Sequence, residues 1–344
     1  MTPEDIYERL RTIEDPTLHD DIVSVGVVED VEIESDTVRV MVGLHAPFSP
    51  DEERIASDIR AALSDLDRDV ELVETFIERI GEAEETLPTV KNVIAVSSGK
   101  GGVGKTTIAV NVARQLTERG ARVGLLDADL YGPNVPRMLS EGGEPQLDTE
   151  GETLYPPERE GITVMSIGFL VPERDAAVMR GPMLDSTLQR LLTDVAWGEL
   201  DYLIVDLPPG TGDAQLTLCQ TVPVTGAVVV TTPQPVSTDD AHRSLSMFGD
   251  HSIPVLGIVE NMRTFRCPSC GDTHDLFGQG GGERVADEYD LPFLGAVPFD
   301  PRIRETADTG DQVPEESEAA EAFRAIAREI ANGVGTLRRR ELDL

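Results

Sequence analysis

Two rhythms of apolar and polar residues divide the chain. Up to about residue 80 the pattern changes every dozen positions or so. "IYERLRTI" has helical spacing behind Thr2, Pro3 and Asp5, which supply a capped helix start. "VEIESDTVRVMVGL" alternates as a hairpin does, "PDEERIASDIRAALSDL" returns to the helical period, and "DVELVETFI" closes as a strand. Residues 1–80 therefore read as a small α/β unit. The stretch "GEAEETLPTVK", residues 81–91, is charged, contains a proline and reads as a linker.

From Asn92 the rhythm becomes continuous apolar runs separated by amphipathic helices: "NVIAVSS", "ARVGLLDAD", "GITVMSIG", "DYLIVDLPP", "GAVVVTTP", "VLGIVENM" and "FLGAVPF". Strands that are apolar on both faces belong in a parallel sheet covered by helices on both sides, so residues 92–335 are predicted to form one α/β domain of that kind. "EESEAAEAFRAIAREIANGV" is predicted as a final helix, and residues 336–344 as a charged tail.

Composition narrows the partners. Sixty-four acidic residues face 29 basic ones, a net charge of -35 that repels nucleic acid and anionic membrane surfaces by default. No apolar run approaches the roughly 18 residues of a membrane span. The acidic beginning, "MTPEDIYERLRTIEDP", lacks the basic and apolar regions of a secretory signal. The expectation is a cytoplasmic protein, where metal-bound or free thiols outlast disulfides. Only three lysines, Lys91, Lys100 and Lys105, stand among the 29 basic residues. Such acidity with lysine nearly eliminated suits a cell interior of about molar salt, where the Debye length falls to ~3 Å, with an ordinary acidic protein as the alternative. In either case a retained lysine points to a task that arginine cannot perform.

Two of those lysines lie in one loop. Residues Gly99 to Thr106 fit GxxxxGKS/T between a predicted strand and a predicted helix, the context in which that spacing cradles phosphates. Backbone N–H groups and the helix N-terminus face the phosphates, Lys105 reaches the β- and γ-phosphates, and the Thr106 hydroxyl ligates Mg²⁺. Hydrolysis also needs carboxylates. "YLIVDLPPGTGD" supplies Asp206 at the end of one strand, and "LLDADLYGPN" supplies Asp127 and Asp129 at the end of another. Taken singly, each could be a helix N-cap.

The remaining chemistry is a CxxC pair, Cys267 and Cys270, in "FRCPSCGDTHDLFG". A tetrahedral site wants four ligands, and Cys219, the third cysteine, lies in the apolar "AQLTLCQTV", which reads as core. Cys267 and Cys270 could be completed within one chain by His274 and either Asp272 or Asp275, as a zinc knuckle.

"GKGGVGKTT", with Lys100 directly after the first glycine, resembles the deviant Walker A loop of a family of dimeric ATPases that includes nitrogenase iron protein and the division-site and partition ATPases. Within that family "DADLYGPNVPRML", "MRGPM", "DLPPGTGDAQLTL", "TTPQPVSTDDA", "GIVENM", "CPSCG" and "FGQGGGERVA" are similar, in order, to the motifs of the Mrp/ApbC-type iron–sulfur cluster carriers, over about residues 90–330. The first 80 residues resemble the small MIP18-like domain found in front of many of these carriers, through "EDPTLHDDIVSVGVV". Such domains often carry a loop cysteine; here "LHAPFSP", around Ala46 and Phe48, offers none.

The resemblance implies a P-loop NTPase that hydrolyses ATP with Mg²⁺ and binds nucleotide through Gly99, Lys100, Gly101, Gly102, Val103, Gly104, Lys105, Thr106 and Thr107. It makes Lys100 the residue that reaches a partner's nucleotide, Asp129 the carboxylate that positions the attacking water, and Asn261 a contact to the adenine edge. Asp127 would shape the Mg²⁺ shell beside Thr106, with Asp206 as the Walker B-like acid. It further implies a homodimer bridging one 4Fe-4S cluster through Cys267 and Cys270 of each chain, an upstream cluster donor and apoprotein acceptors. The competing class is a positioning-type P-loop ATPase with a structural zinc knuckle. That class would use a basic terminal helix, whereas "AFRAIAREIANGVGTLRRRELDL" mixes arginines with acids.

Overall fold

In the computed structural model the described residues are 2–75, 86–129, 132–140, 142–149, 151, 153–170, 181–267 and 269–342. The first five residues of the expected linker, the start of "MRGPM" and the last two residues of the expected tail lie outside them. The chain divides into two compact units, Met1–Arg79 with Ala331–Leu344, and Ile80–Ile330.

The smaller unit is built around a three-stranded sheet in the order β1 (Val28–Ile33), β2 (Thr37–Val42), β3 (Asp69–Glu74). β1 and β2 form the predicted antiparallel hairpin, and β3 joins parallel to β2 after the crossover helix Pro50–Ala62. The helix Pro3–Leu10 starts with the expected capping box: Thr2 Oγ1 accepts from Asp5 N–H at 3.4 Å while the Asp5 carboxylate accepts from Thr2 N–H at 2.6 Å. Ile6, Leu10, Val38, Val40, Ile55 and Ile59 are fully buried in the core between helices and sheet.

At the C-terminus the structure differs from the sequence reading. The final helix runs Glu318–Leu342, so the expected charged tail is helical through residue 342. Its residues from Ala331 on belong to the smaller unit. Asn332 Oδ1 accepts from Ser49 Oγ at 2.7 Å, and Arg339 has no solvent exposure. Arg339 Nη1 donates to Glu52 Oε1 at 3.1 Å, and its Nε lies 2.7 Å from Asp15 Oδ2 as an ion pair that lacks hydrogen-bond alignment. A Cβ on Gly335 would come within 2.8 Å of Arg339 Nη1 and Glu52 Oε1, so this helix face is fitted to the cluster. Burial pushes the Glu52 carboxyl up to about 7, against the pull of Arg339. Arg339→Ala would leave a buried carboxylate without its cation, and we expect a loss of about 3 kcal/mol in the stability of this unit by denaturant titration.

The larger unit is built on eight strands: β4 (Val90–Ser97), β5 (Val123–Asp127), β8 (Glu158–Arg159), β9 (Ile162–Ser166), β10 (Leu200–Asp206), β11 (Gly226–Thr231), β12 (Val255–Glu260) and β15 (Phe293–Ala296). They form one sheet in the order β15-β12-β11-β4-β10-β5-β9-β8. All seven apolar runs of the sequence are strands in this sheet, and they pair parallel. β8 adds an antiparallel edge that two residues are too short to announce. Two more short pairs stand outside the sheet, β6 (Gln146–Leu147) with β7 (Leu154–Tyr155), and β13 (Phe265–Arg266) with β14 (Thr273–His274). The predicted helices after β4, β10 and β11 are Lys105–Glu118, Asp213–Thr221 and Pro235–Asp250. β4, β10 and β5 are adjacent, so their C-terminal ends bring the phosphate loop and three acids to one edge, where open α/β sheets bind ligands. Among the described residues no helix is long and apolar enough to cross a membrane.

Candidate functional site: a phosphate loop and an exposed dithiol hairpin

β4 ends at Ser97 and the helix Lys105–Glu118 begins eight residues later, which leaves the loop to turn the chain. Two glycines are required by close approach. A Cβ on Gly99 would meet the Asp240 carbonyl oxygen at 2.2 Å, and Gly104, at φ 86°, would drive one into Asn261 Nδ2 at 2.1 Å. A Cβ on Gly101 or Gly102 would meet nothing within 4 Å, so that side of the loop is open. The loop borders a cavity of about 300 Å³ with Lys100, Lys105, Thr106 and Asp129 on its walls.

Inside the loop Lys105 is held by acids. Its Nζ lies 2.6 Å from Asp206 Oδ1 and 3.6 Å from Asp129 Oδ2, and Thr106 Oγ1 donates to Asp206 Oδ2 at 2.7 Å. Asp206 is fully buried at the end of β10, so its charge is compensated by the loop's own lysine and hydroxyl. Lys91 pairs with Asp201 at 3.1 Å, whereas Lys100 lines the cavity and makes no ion pair among the described residues.

The structure places Asp127 behind the cavity wall. One oxygen accepts from Asp129 N–H at 3.2 Å, and the other accepts from Val135 N–H and Ser166 Oγ, each at 3.1 Å. Burial, and then the Asp206 charge, pushes Asp127 up to about 8. Asp127 therefore organises the segment that carries Asp129, close enough to Asp206 and Lys105 to feel both charges. Asn261 is likewise occupied: Nδ2 donates to Val103 O at 2.8 Å and Oδ1 accepts from Met262 N–H at 2.9 Å. It braces the phosphate loop from below. Val103 is buried and Thr107 lies one turn into the helix.

Sequence reasoning passed over four neighbours. Gly132, Asn134 and Pro209 line the cavity within the segments quoted for their acids, and Ser98 Oγ donates to Lys100 O at 3.0 Å. Ser98 O also accepts from Gly210 N–H at 2.8 Å, which ties the segment after Asp206 to the loop. The signal available was adjacency to Asp129 and Asp206.

Far along the chain, Cys267 and Cys270 sit on the turn of the β13–β14 hairpin, with Phe265 opposite His274. Cys267 N–H donates to Asp272 O, and Gly271 N–H to Cys267 O, both at 2.8 Å. Backbone N–H groups of Cys270 and Ser269 point at the Cys267 sulfur and hold that thiol below its ordinary value. Cys267 is partly exposed and Cys270 is exposed. Cys219 is 7% exposed, and burial pushes its thiol up to about 11, as suits the core position read from the sequence.

These features agree with the chain's relatives. Residues 89–331 match the family model of the NUBPL iron-transfer P-loop NTPases, and residues 3–74 match that of the iron–sulfur cluster assembly proteins. An iron–sulfur cluster carrier protein of Deinococcus radiodurans is 48% identical over 334 residues, which cover 96% of this chain and 95% of the relative. A nucleotide-binding protein of Archaeoglobus fulgidus, solved in complex with ADP and with cobalt found in it, is 38% identical with a TM-score of 0.60, over 71% of this chain and 98% of that one. The cell division ATPase MinD of Pyrococcus furiosus, 23% identical, shares the fold with a TM-score of 0.54 over 70% of this chain and 98% of its own. With a complete phosphate loop, an acid at each neighbouring strand end and a paired-thiol hairpin, the chain belongs to the Mrp/ApbC-type iron–sulfur cluster carriers, P-loop NTPases with a small iron–sulfur assembly domain in front.

Proposed function

We propose that the chain hydrolyses ATP while carrying a 4Fe-4S cluster between two copies of itself, and that it delivers the cluster to apoproteins. The observation that carries this reading is the hairpin: one chain presents two thiols that lie at least partly in solvent, half of what such a cluster takes, and a second copy supplies the other half. A cluster shared across a symmetric interface is accessible to a recipient. The partition-type alternative would use the dithiol turn only as a structural zinc knuckle.

In the nucleotide site, Lys105 and the loop N–H groups bind the phosphates, and Lys100, on the cavity wall, is the residue to reach a partner's nucleotide. Thr106 Oγ1 and the Asp206 carboxylate, hard oxygen donors 2.7 Å apart, suit Mg²⁺, which supplies charge neutralisation at the β- and γ-phosphates. Asp129, 9% exposed and on the cavity wall, orients the attacking water. Nucleotide binding competes with Asp206 for Lys105, and the segments after Asp129 and Asp206 are the parts that move. Asp129→Asn keeps the shape and weakens orientation of the water. MgATP affinity should stay within about twofold while turnover falls by roughly 100-fold, in line with loss of a general-base group. Parent-level turnover in a steady-state assay would move that role elsewhere.

The proposal as a whole is tested by anaerobic reconstitution with iron and sulfide, followed by mixing with an apoprotein that gains activity on receiving a 4Fe-4S cluster. We expect activation of the recipient and bleaching of the carrier in step. A chain that takes up no iron, or keeps it in the presence of recipient and MgATP, would count against a carrier.

A further inference from the structure

A short piece of chain runs from the phosphate loop to the dithiol hairpin, and one buried side chain stands at its start. The Asn261 carboxamide faces two ways: Nδ2 donates to Val103 O in the loop at 2.8 Å, and Oδ1 accepts from Met262 N–H at 2.9 Å. Only one orientation of the amide satisfies both partners, so a rotation that breaks one bond breaks the other. The fit against the loop is close, since a Cβ on Gly104, the residue before Lys105, would fall 2.1 Å from Asn261 Nδ2. Asn261 N–H itself donates to Thr231 O at 2.8 Å, which anchors its backbone to the end of β11 and leaves the side chain as the part that turns. Met262 has φ 59°, left-handed backbone that a long side chain rarely adopts. Such a conformation persists where surrounding bonds hold it, and here the Asn261 carboxamide holds the Met262 amide. Phe265 then opens the hairpin, and Cys267 is six residues from Asn261, a span of at most about 22 Å. That span has little slack: Arg263 N–H donates to Val297 O at 3.0 Å, and Thr264 O accepts from Phe299 N–H at 2.7 Å. The Phe299 ring lies 6.0 Å from Phe265 and 5.8 Å from Phe277, centroid to centroid, so it grips both flanks of the hairpin at its base.

We infer that Asn261 is a positioning residue through which the phosphate loop sets the aim of the dithiol hairpin. The relay has two arrangements. In one the carboxamide is engaged with Val103 and Met262 is pinned in left-handed backbone; in the other the carboxamide is turned and Met262 relaxes into extended backbone. A loop that closes on phosphates moves Val103 against the carboxamide, and the balance between the two arrangements shifts with it. Because the aromatic grip makes the base of the hairpin rigid, a backbone change at Met262 tilts the hairpin as a unit and re-aims Cys267 and Cys270. The relay takes its purpose from the carrier reading, in which nucleotide governs what the thiols hold, but its geometry is the same whatever they hold. It shares no residue with the segments after Asp129 and Asp206, so it is a separate route out of the nucleotide site.

The test is alkylation of the metal-free full-length chain by iodoacetamide, with and without MgADP, whose β-phosphate already reaches the loop. Cys267 and Cys270 are read separately by mass spectrometry, and buried Cys219 reports any unfolding. The protein is diluted until light scattering gives single chains, so that a change at the hairpin is not cover by a second copy. We expect saturating MgADP to change the rate at one or both hairpin thiols by about fivefold or more, the lower end of ordinary coupling between sites. Asn261→Ala should bring that ratio to within about twofold of one. Met262→Gly should do the same while MgADP affinity stays within about twofold of the parent, because glycine is at ease in left-handed backbone with or without the carboxamide. If Asn261→Ala no longer binds MgADP, Met262→Gly decides. A parent whose hairpin thiols ignore MgADP, or a nucleotide-binding variant that keeps the parent's ratio, would overturn the relay. Iron–sulfide reconstitution, which needs no nucleotide, scores the carrier reading separately. Cluster uptake by a parent whose thiols ignore MgADP removes the relay and leaves the carrier standing. A nucleotide response that both variants abolish, in a protein that takes up no cluster, does the reverse.

Discussion

Cys267→Ala and Cys270→Ala are each expected to eliminate stable cluster binding, with MgATP binding at the parent level. In a symmetric dimer one substitution is made twice, so either variant leaves two of four thiolates, too few to hold a 4Fe-4S cluster. The wild type should reconstitute with about four irons per dimer. Both cysteines lie at least partly in solvent on a two-stranded hairpin, so truncation removes little packing. The phosphate loop shares no residue with that hairpin, so nucleotide binding is an internal check on folding. Dimers of one wild-type and one doubly substituted chain sharpen the test. If the cluster bridges, the mixed dimer loses it entirely. Iron analysis of a tagged mixed dimer that retains a full cluster on its wild-type half would falsify the bridging arrangement.

Legibility in the sequence followed how local the physics is. The seven apolar runs became seven parallel strands because a strand buried on both faces has no polar position to blur it, as in β10, where all seven residues are buried. The capping box at Thr2 and Asp5 closes within three residues and was equally plain. Edge strand β8 was not, since two residues carry no period. The "RRR" segment read as tail because charge normally seeks water. The burial of its middle residue, Arg339, depends on Asp15 and Glu52, more than 280 positions away in sequence for the Glu52 bond, and no local pattern encodes such a partnership.

The candidate site divided in the same way. The spacing of Gly99, Gly104, Lys105 and Thr106 is dictated by a strand–loop–helix turn, and the structure forms that turn. Asp127 and Asp129, two positions apart at a strand end, are told apart in the sequence only by the family resemblance. The fold separates them: Asp129 borders the cavity, while Asp127 caps backbone N–H groups behind it. Asn261 shows the same limit, because its contact with Val103 joins segments 158 positions apart. A motif identifies which residues gather at a site, and the packing around them decides which way each one faces.

Lys105→Ala should abolish tight MgATP binding and also weaken the nucleotide-free protein, two effects with one cause. Lys105 Nζ is the cation that faces the fully buried Asp206 at 2.6 Å, and it is also the group aimed at the β- and γ-phosphates. Losing one partner of a desolvated charge pair costs about 2–5 kcal/mol in binding, which corresponds to an affinity loss of roughly 30-fold to several thousand-fold. Without nucleotide, the same truncation leaves Asp206 uncompensated beside Asp127, where Thr106 Oγ1 offers one hydrogen bond and no charge. A stability loss of about 3 kcal/mol follows from that uncovered acid. Lys105→Ala/Asp206→Ala removes both charges together, so it should regain much of the stability and none of the nucleotide affinity. Calorimetric titration with MgATP and denaturant unfolding of the two variants separate the effects. Binding within twofold of the parent in Lys105→Ala would remove the phosphate-loop role of this lysine. A double variant no more stable than the single one would show that the Lys105–Asp206 pair does not govern the stability of the empty site.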